Sequence, residues 1–173
     1  MEEKVLLNAT ALFFLRGNEV LFGWKTRKIN KDRWNGYGGG IEEGEFPEET
    51  AVREAKEETG GVIVDPENLT KIAIVDFHNT MSDGRTFACR VHMYTTEKWK
   101  GKIEATEEMA NPTWFKIDNL PFGDMPPADP DWLPLALAGK KLVAKAYLGP
   151  FQQKKLKETE IEFIDSFSER TKE

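Results

Sequence analysis

Apolar and β-branched residues fill positions 5–15 almost without interruption, and Arg16-Gly17-Asn18 then supplies turn chemistry. Residues 19–27 alternate well enough to be the returning strand of a hairpin. A polar loop follows over 28–33, then a short strand around Trp34 and a glycine cluster at Gly36, Gly38, Gly39 and Gly40. Residues 47–59 have a helical pattern: Pro47 suits a first turn, acidic residues follow it, and Gly60 suits the position just past the end. Residues 69–79 and 85–97 read as two strands joined at Ser82-Asp83-Gly84. A further short strand is expected at 113–117, a proline-rich loop over 121–134 leading into a short helix through Leu137, and closing strands at 141–148 and 160–167. The pattern predicts a mixed sheet with about two helices, an α/β (α+β) sandwich.

The chain's 173 residues fit one globular domain over 1–173, with 39% hydrophobic and 11% aromatic residues, too rich for a disordered chain. A formal net charge of −6 argues against a basic patch for nucleic acid, yet an acidic protein can bind a polyanion if metal ions stand between them. The lone cysteine, Cys89, forbids an intramolecular disulfide and suggests a reducing compartment, so a cytoplasmic protein is expected. The apolar run near the N-terminus is too short to span a bilayer and is expected to be a core strand, so no membrane partner is foreseen.

The chemistry concentrates on the expected helix 47–59. Glu54, Glu57 and Glu58 stand at i, i+3 and i+4, so their carboxylates share one stripe, while Ala51, Val52, Ala55 and Thr59 lie on the side that can pack on a sheet. Three carboxylates on one edge repel by a few tenths of a kcal/mol per pair. A cation between them removes that cost, and Mg²⁺ prefers a few carboxylate oxygens together with phosphates and water. Arg53, one turn before Glu57, can steady that carboxylate. The loop Gly38-Gly39-Gly40 allows backbone carbonyls to approach an ion or phosphate with no Cβ in the way. A solvated acidic helix face is the competing reading of the glutamates alone. His78 and His92 are scattered, with no nucleophile spacing, and read as structural residues; Cys89 reads as a small buried hydrophobe.

The whole spacing is more specific. Gly39, five residues, Glu45, seven residues, Arg53-Glu54, Ala55, Lys56, Glu57-Glu58, Thr59 and Gly60 resembles the Nudix box, departing only at Gly61, where the family has an aliphatic residue. Outside the box the chain resembles the MutT-type 8-oxo-dGTP diphosphatases of the Nudix hydrolases. That resemblance rests on Val20-Leu21-Phe22-Gly23-Trp24-Lys25, Arg33-Trp34-Asn35-Gly36-Tyr37-Gly38-Gly39, Trp114-Phe115, Pro121-Phe122-Gly123-Asp124-Met125 and Trp132-Leu133-Pro134. It implies a Nudix-type α/β/α sandwich and Mg²⁺-dependent (or Mn²⁺-dependent) hydrolysis of an oxidised purine nucleoside triphosphate to the monophosphate and pyrophosphate, by a monomer that sanitises the nucleotide pool.

By the same resemblance Glu54, Glu57, Glu58, the Gly38 carbonyl and Glu108 would hold metal, with Glu107 a rival for Glu108. Glu57, Glu58, Glu54 and Arg53 would be catalytic, with Glu57 or Glu58 as general base. Asn35, Asp129, Thr10, Lys25, Phe77, Tyr37 and Gly39 would meet the substrate. Two positions depart: Pro126 replaces a base-stacking tryptophan, and Ala128 replaces the first of two aspartates, leaving Asp129. Other nucleotides, nucleoside diphosphate derivatives and a non-catalytic nucleotide-binding role remain as alternatives.

Overall fold

In the computed structural model, which describes residue 3 and residues 5–167, the expected hairpin forms between β1 (Asn8–Arg16) and β2 (Glu19–Lys25). Leu15 faces Val20 across the Gly17 turn, where φ is +58°. β1 is the spine of the sheet. One edge pairs in parallel with β6 (Thr86–Thr96), while β4 (Tyr37–Gly40) runs antiparallel to β1, with Thr10 opposite Gly39. β3 (Trp34–Asn35) and β7 (Met109–Lys116) both pair with β2. β5 (Thr70–Thr80) and β6 make the second expected hairpin, and β8 (Leu142–Leu148) and β9 (Lys155–Phe163) extend the sheet beyond β5. Parallel β1–β6 and β5–β8 pairs within a mainly antiparallel sheet make it mixed, as the pattern implied.

The two helices take opposite faces, because successive β1 side chains point to opposite sides. Leu12 and Phe14 meet Ala51 and Ala55 of α1 (Pro47–Glu58). Ala9 and Phe13 meet Trp132, Leu133 and Ala136 of α2 (Asp129–Leu137). Each fully buried Leu or Phe in these layers contributes roughly 1.5–3 kcal/mol. Among the described residues no helix is long and apolar enough to cross a membrane.

Several boundaries move. Residues 5–7 precede β1 and are exposed (Val5 54%, Leu7 58%), so the apolar run is not all core strand. The glycines at 38–40 are a strand, not a loop: pairing with β1 satisfies their backbone and leaves α1 room to approach. α2 begins inside the supposed proline loop, since Pro130 sits in a first turn that needs no donor, and burial of Trp132 and Leu133 outweighs the interruption at Pro134. β7 starts at Met109, ahead of the expected strand. The last strand is Lys155–Phe163 rather than 160–167; its charged alternation hides an edge strand that pairing with β8 decides.

Candidate active site

α1 carries its carboxylates at graded depth. Glu58 is 5% exposed, and its Oε1 accepts the Gly38 N–H at 2.9 Å. Glu54 lies against Gly39 so closely that a Cβ there would stand 2.6 Å from its Oε1. Glu57 is the outermost, its side chain 58% exposed. Gly38 is equally constrained from the other side, because a Cβ would lie 1.9 Å from the Thr10 carbonyl oxygen. The glycines therefore set how closely the carboxylates of α1 approach the sheet. Fully buried Ala51, Ala55 and Thr59 hold the helix there, and the Thr59 hydroxyl donates to the Ala55 carbonyl at 2.5 Å.

Arg53 organises the start of this cluster. Its Nε and Nη2 donate to the two oxygens of Glu45 at 2.7 and 2.9 Å, Nη1 reaches Glu54 at 2.9 Å, and Nη2 also reaches the Gly40 carbonyl at 3.2 Å. Glu57 is no nearer than 3.6 Å. Arg53 therefore stays within ion-pair reach of Glu57, as the helix spacing allows, while its hydrogen bonds go to Glu45, Glu54 and the Gly40 carbonyl. A two-oxygen fork onto Glu45 is geometrically better than a single contact along the helix, and it ties the loop before α1 to the helix. The guanidinium holds the Glu45 carboxyl well below the usual carboxylate range.

Further in, like charges are crowded. Burial first, then the carboxylates of Glu54 and Glu108, push the Glu58 carboxyl up to about 8, against the Gly38 N–H and Lys25. Burial also raises Glu54, with Arg53 opposing. Lys25 is lowered by burial, although Glu58, Glu108 and Glu54 all favour its charged form. Burial and Glu58 together raise the Tyr37 phenol, whose hydroxyl, like the buried Thr10 hydroxyl, has no partner among the described residues.

Glu108 immediately precedes β7 and pairs with Lys28 at 3.1 Å and Arg27 at 3.8 Å. Glu107 is exposed, and its backbone carbonyl accepts the Thr26 hydroxyl. Of these two neighbours it is Glu108 whose charge acts on Glu54, Glu58 and Lys25. Among the described residues no three acidic, His or Cys side chains converge tightly enough to grip an ion as they stand. The donor chemistry nevertheless fits a hard divalent cation. Glu58 and Glu54 are carboxylates whose charge is disfavoured by burial and mutual repulsion, the condition a cation relieves.

The opposite flank holds the residues expected to meet a base. Phe77 lies on β5 in the α2-side core, 8% exposed. Asp129 opens α2, 7% exposed, and accepts the Trp132 indole N–H at 3.3 Å; burial pushes its carboxyl up to about 7. Asn35 donates its amide to the Arg33 carbonyl at 2.9 Å and the Asn30 carbonyl at 3.3 Å, so that side of the amide shapes its own loop. His78 stacks on Tyr147 at 5.1 Å, and His92 Nδ1 lies 2.8 Å from Lys71 Nζ, both on the β5–β6 surface facing away from Phe77. Cys89 is buried in the core.

Sequence reasoning did not single out Asn30, Arg33, Asn79 or Gln152 for this flank. Arg33 donates to Asn30 Oδ1 at 3.0 Å and to the carbonyls of Gln152 and Gln153 at 3.1 and 3.0 Å. Gln152 Nε2 donates to Asn79 Oδ1 at 2.9 Å. No local signal links residues this far apart; only the strand order brings them together.

A family model described as the NUDIX domain matches residues 6–136. The chain is 36% identical over 132 residues to an oxidized purine nucleoside triphosphate hydrolase of Mus musculus, covering 76% of this chain and 80% of that protein. A Danio rerio protein of the same name is 34% identical over 134 residues, covering 78% and 81%. In fold, the chain is similar to a MutT protein of Bacillus halodurans (TM-score 0.71, 21% identity, 91% and 98% covered). It is also similar to a MutT NUDIX hydrolase of Burkholderia pseudomallei (TM-score 0.59, 22% identity, 68% and 88% covered).

Proposed function

The chain belongs to the Nudix hydrolase family, and from that premise we propose that it hydrolyses oxidised purine nucleoside triphosphates, such as 8-oxo-dGTP, to the nucleoside monophosphate and pyrophosphate. The observation that carries the proposal is the carboxylate cluster of Glu54, Glu58 and Glu108 facing Lys25 beside the glycine strand. Members of the family work with a divalent cation; here Mg²⁺ (or Mn²⁺) would be held by Glu54, Glu57, Glu58, Glu108 and the Gly38 carbonyl. Bound there, it would neutralise the phosphates and lower the pKa of the attacking water.

The chain's own groups would do the rest. Lys25, with Gly39 at the glycine strand, would orient the phosphates. Tyr37 and Thr10 would offer their unpartnered hydroxyls to substrate or to water. Glu57, the most solvent-open of the three helix carboxylates, would accept the proton as water attacks, while Glu58 stays engaged with the Gly38 N–H. Arg53 would hold Glu54 and the α1 entrance through Glu45. Asn35 and Asp129 would hydrogen-bond the purine beside Phe77. The balance is one water consumed, one P–O bond formed to its oxygen, one bridging P–O bond broken, and the monophosphate and pyrophosphate released.

Pyrophosphate release measured with 8-oxo-dGTP, dGTP and other modified triphosphates tests this. A kcat/KM for 8-oxo-dGTP at least tenfold above that for dGTP is expected, about 1.4 kcal/mol of discrimination. Pro126 and Ala128, in place of a stacking tryptophan and an aspartate, favour a second reading in which another nucleotide is preferred. A ratio near one would establish that reading instead.

A further inference from the structure

Six non-glycine residues adopt positive φ among the described residues, and five of them fall in two touching segments: Lys28 (67°), Asn30 (63°) and Asp32 (61°), then Phe151 (55°) and Gln152 (57°). Such backbone is disfavoured for L residues and persists where surrounding contacts over-determine it. The contacts here are polar and shared. Asn30 Nδ2 reaches Gln152 Oε1 at 3.4 Å, Arg33 clamps Asn30 Oδ1 and the Gln152 and Gln153 carbonyls, and Gln152 Nε2 reaches the buried Asn79. Asn79 projects from β5 on the same side as Phe77, two residues along, and its own amide donates to the Phe77 carbonyl at 2.9 Å. Asn35 donates to the Asn30 carbonyl, and the Arg33 charge acts on Asp129. The two segments therefore interlock beside the three residues assigned above to the base: Asn35, Phe77 and Asp129.

Between the segments the space lined by Ile29, Asn79, Phe87, Phe151 and Gln152 has a volume of about 10 Å³. That is room for one water and not for a ring. The Asn30–Gln152 bond, at 3.4 Å, lies at the weak end of the range, so it is the contact most easily exchanged.

We propose that residues 28–33 and 149–153 form a latch beside the residues assigned to the base. Gln152 is its specificity-determining residue, trading its bonds to Asn30 and Asn79 for the polar edge of the substrate's base. An amide carries both a donor and an acceptor, so a base that offers the complementary pair replaces both lost contacts, and one that offers a single group leaves half of this partly buried amide unpaired. This inference rests on the purine triphosphate reading above and names a residue that reads the base.

Two variants of the full chain test it. Gln152→Leu keeps the bulk and removes both hydrogen bonds, while Asn30→Gly suits the left-handed backbone and releases the bolt from the other side. In Gln152→Leu, kcat/KM for 8-oxo-dGTP relative to dGTP should fall about three- to tenfold, the share expected of one or two hydrogen bonds, whereas Asn30→Gly, which removes only a bond that binding gives up, should leave that ratio at or above the wild-type value. If Gln152→Leu fails to fold, Gln152→Glu, which keeps an acceptor and loses the donor, takes its place with the same fall expected. In the Gln152 variant, rates that fall in parallel for both nucleotides, with the ratio unchanged, would make the latch a structural brace and overturn the proposal. A wild-type ratio near one would defeat the parent reading, and the latch with it. A wild-type preference kept by the Gln152 variant, or one lost in Asn30→Gly, would defeat the latch alone.

Discussion

Replacing Asp129 by Asn separates what this side chain costs the fold from what it would give the substrate. The carboxyl is buried at the start of α2, and its pKa rises from 3.8 to about 7, with burial the main cause and the Trp132 N–H and Arg33 opposing. The folded protein thus holds this proton more tightly than the unfolded chain. The group's effect on stability is negligible below the unfolded pKa, and stability falls as pH rises from about 4 to about 7, levelling above. At 1.36 kcal/mol per pKa unit the raised pKa would cost about 4 kcal/mol at pH 8, where the buried group is ionised, and about 1.5 kcal/mol at pH 5, where folding must keep it protonated. Relaxation and water entry reduce such figures, so Asp129→Asn should stabilise the protein by about 2–4 kcal/mol at pH 8 and much less at pH 5. Asn is nearly the same size and keeps an oxygen for the Trp132 N–H. For a chain of this length that is about 5–15 °C in Tm. Thermal unfolding at the two pH values reads it directly, and pyrophosphate release on 8-oxo-dGTP should meanwhile fall about tenfold or more. A variant no more stable than wild type at pH 8, or one whose advantage is the same at both pH values, would refute the account of Asp129.

Two substitutions probe the carboxylate helix. Glu57→Gln should lower turnover by orders of magnitude while leaving Tm within a few degrees, because the side chain is 58% exposed; near wild-type turnover would remove Glu57 from the mechanism. Arg53→Lys keeps the charge but cannot form the fork onto Glu45 or reach Glu54 at the same time. A loss of about 1.5–3 kcal/mol in stability and at least tenfold in kcat is expected, measured by urea unfolding and pyrophosphate release; unchanged kcat would show that Glu45 and Glu54 keep their places without it.

What the sequence determined by itself was everything written in local spacing. Glu54, Glu57 and Glu58 share a helix edge because 3.6 residues make a turn, and the two hairpins were legible because their turn residues sit between β-rich runs. Tertiary structure decided the rest. The same stripe of glutamates became three different environments only when Gly38 and Gly39 let α1 settle against β4, burying Glu58 and leaving Glu57 in solvent. Arg53 chose Glu45 over Glu57 because the loop before α1 folds back onto it. β9 and the first turn of α2 were obscured by charge and by proline, since edge strands and helix starts are settled by neighbours and not by intrinsic preference. Gln152 met Asn79 and Asn30 only through strand order, because hydrogen bonds between residues 73 and 122 positions apart leave no periodic mark in a chain.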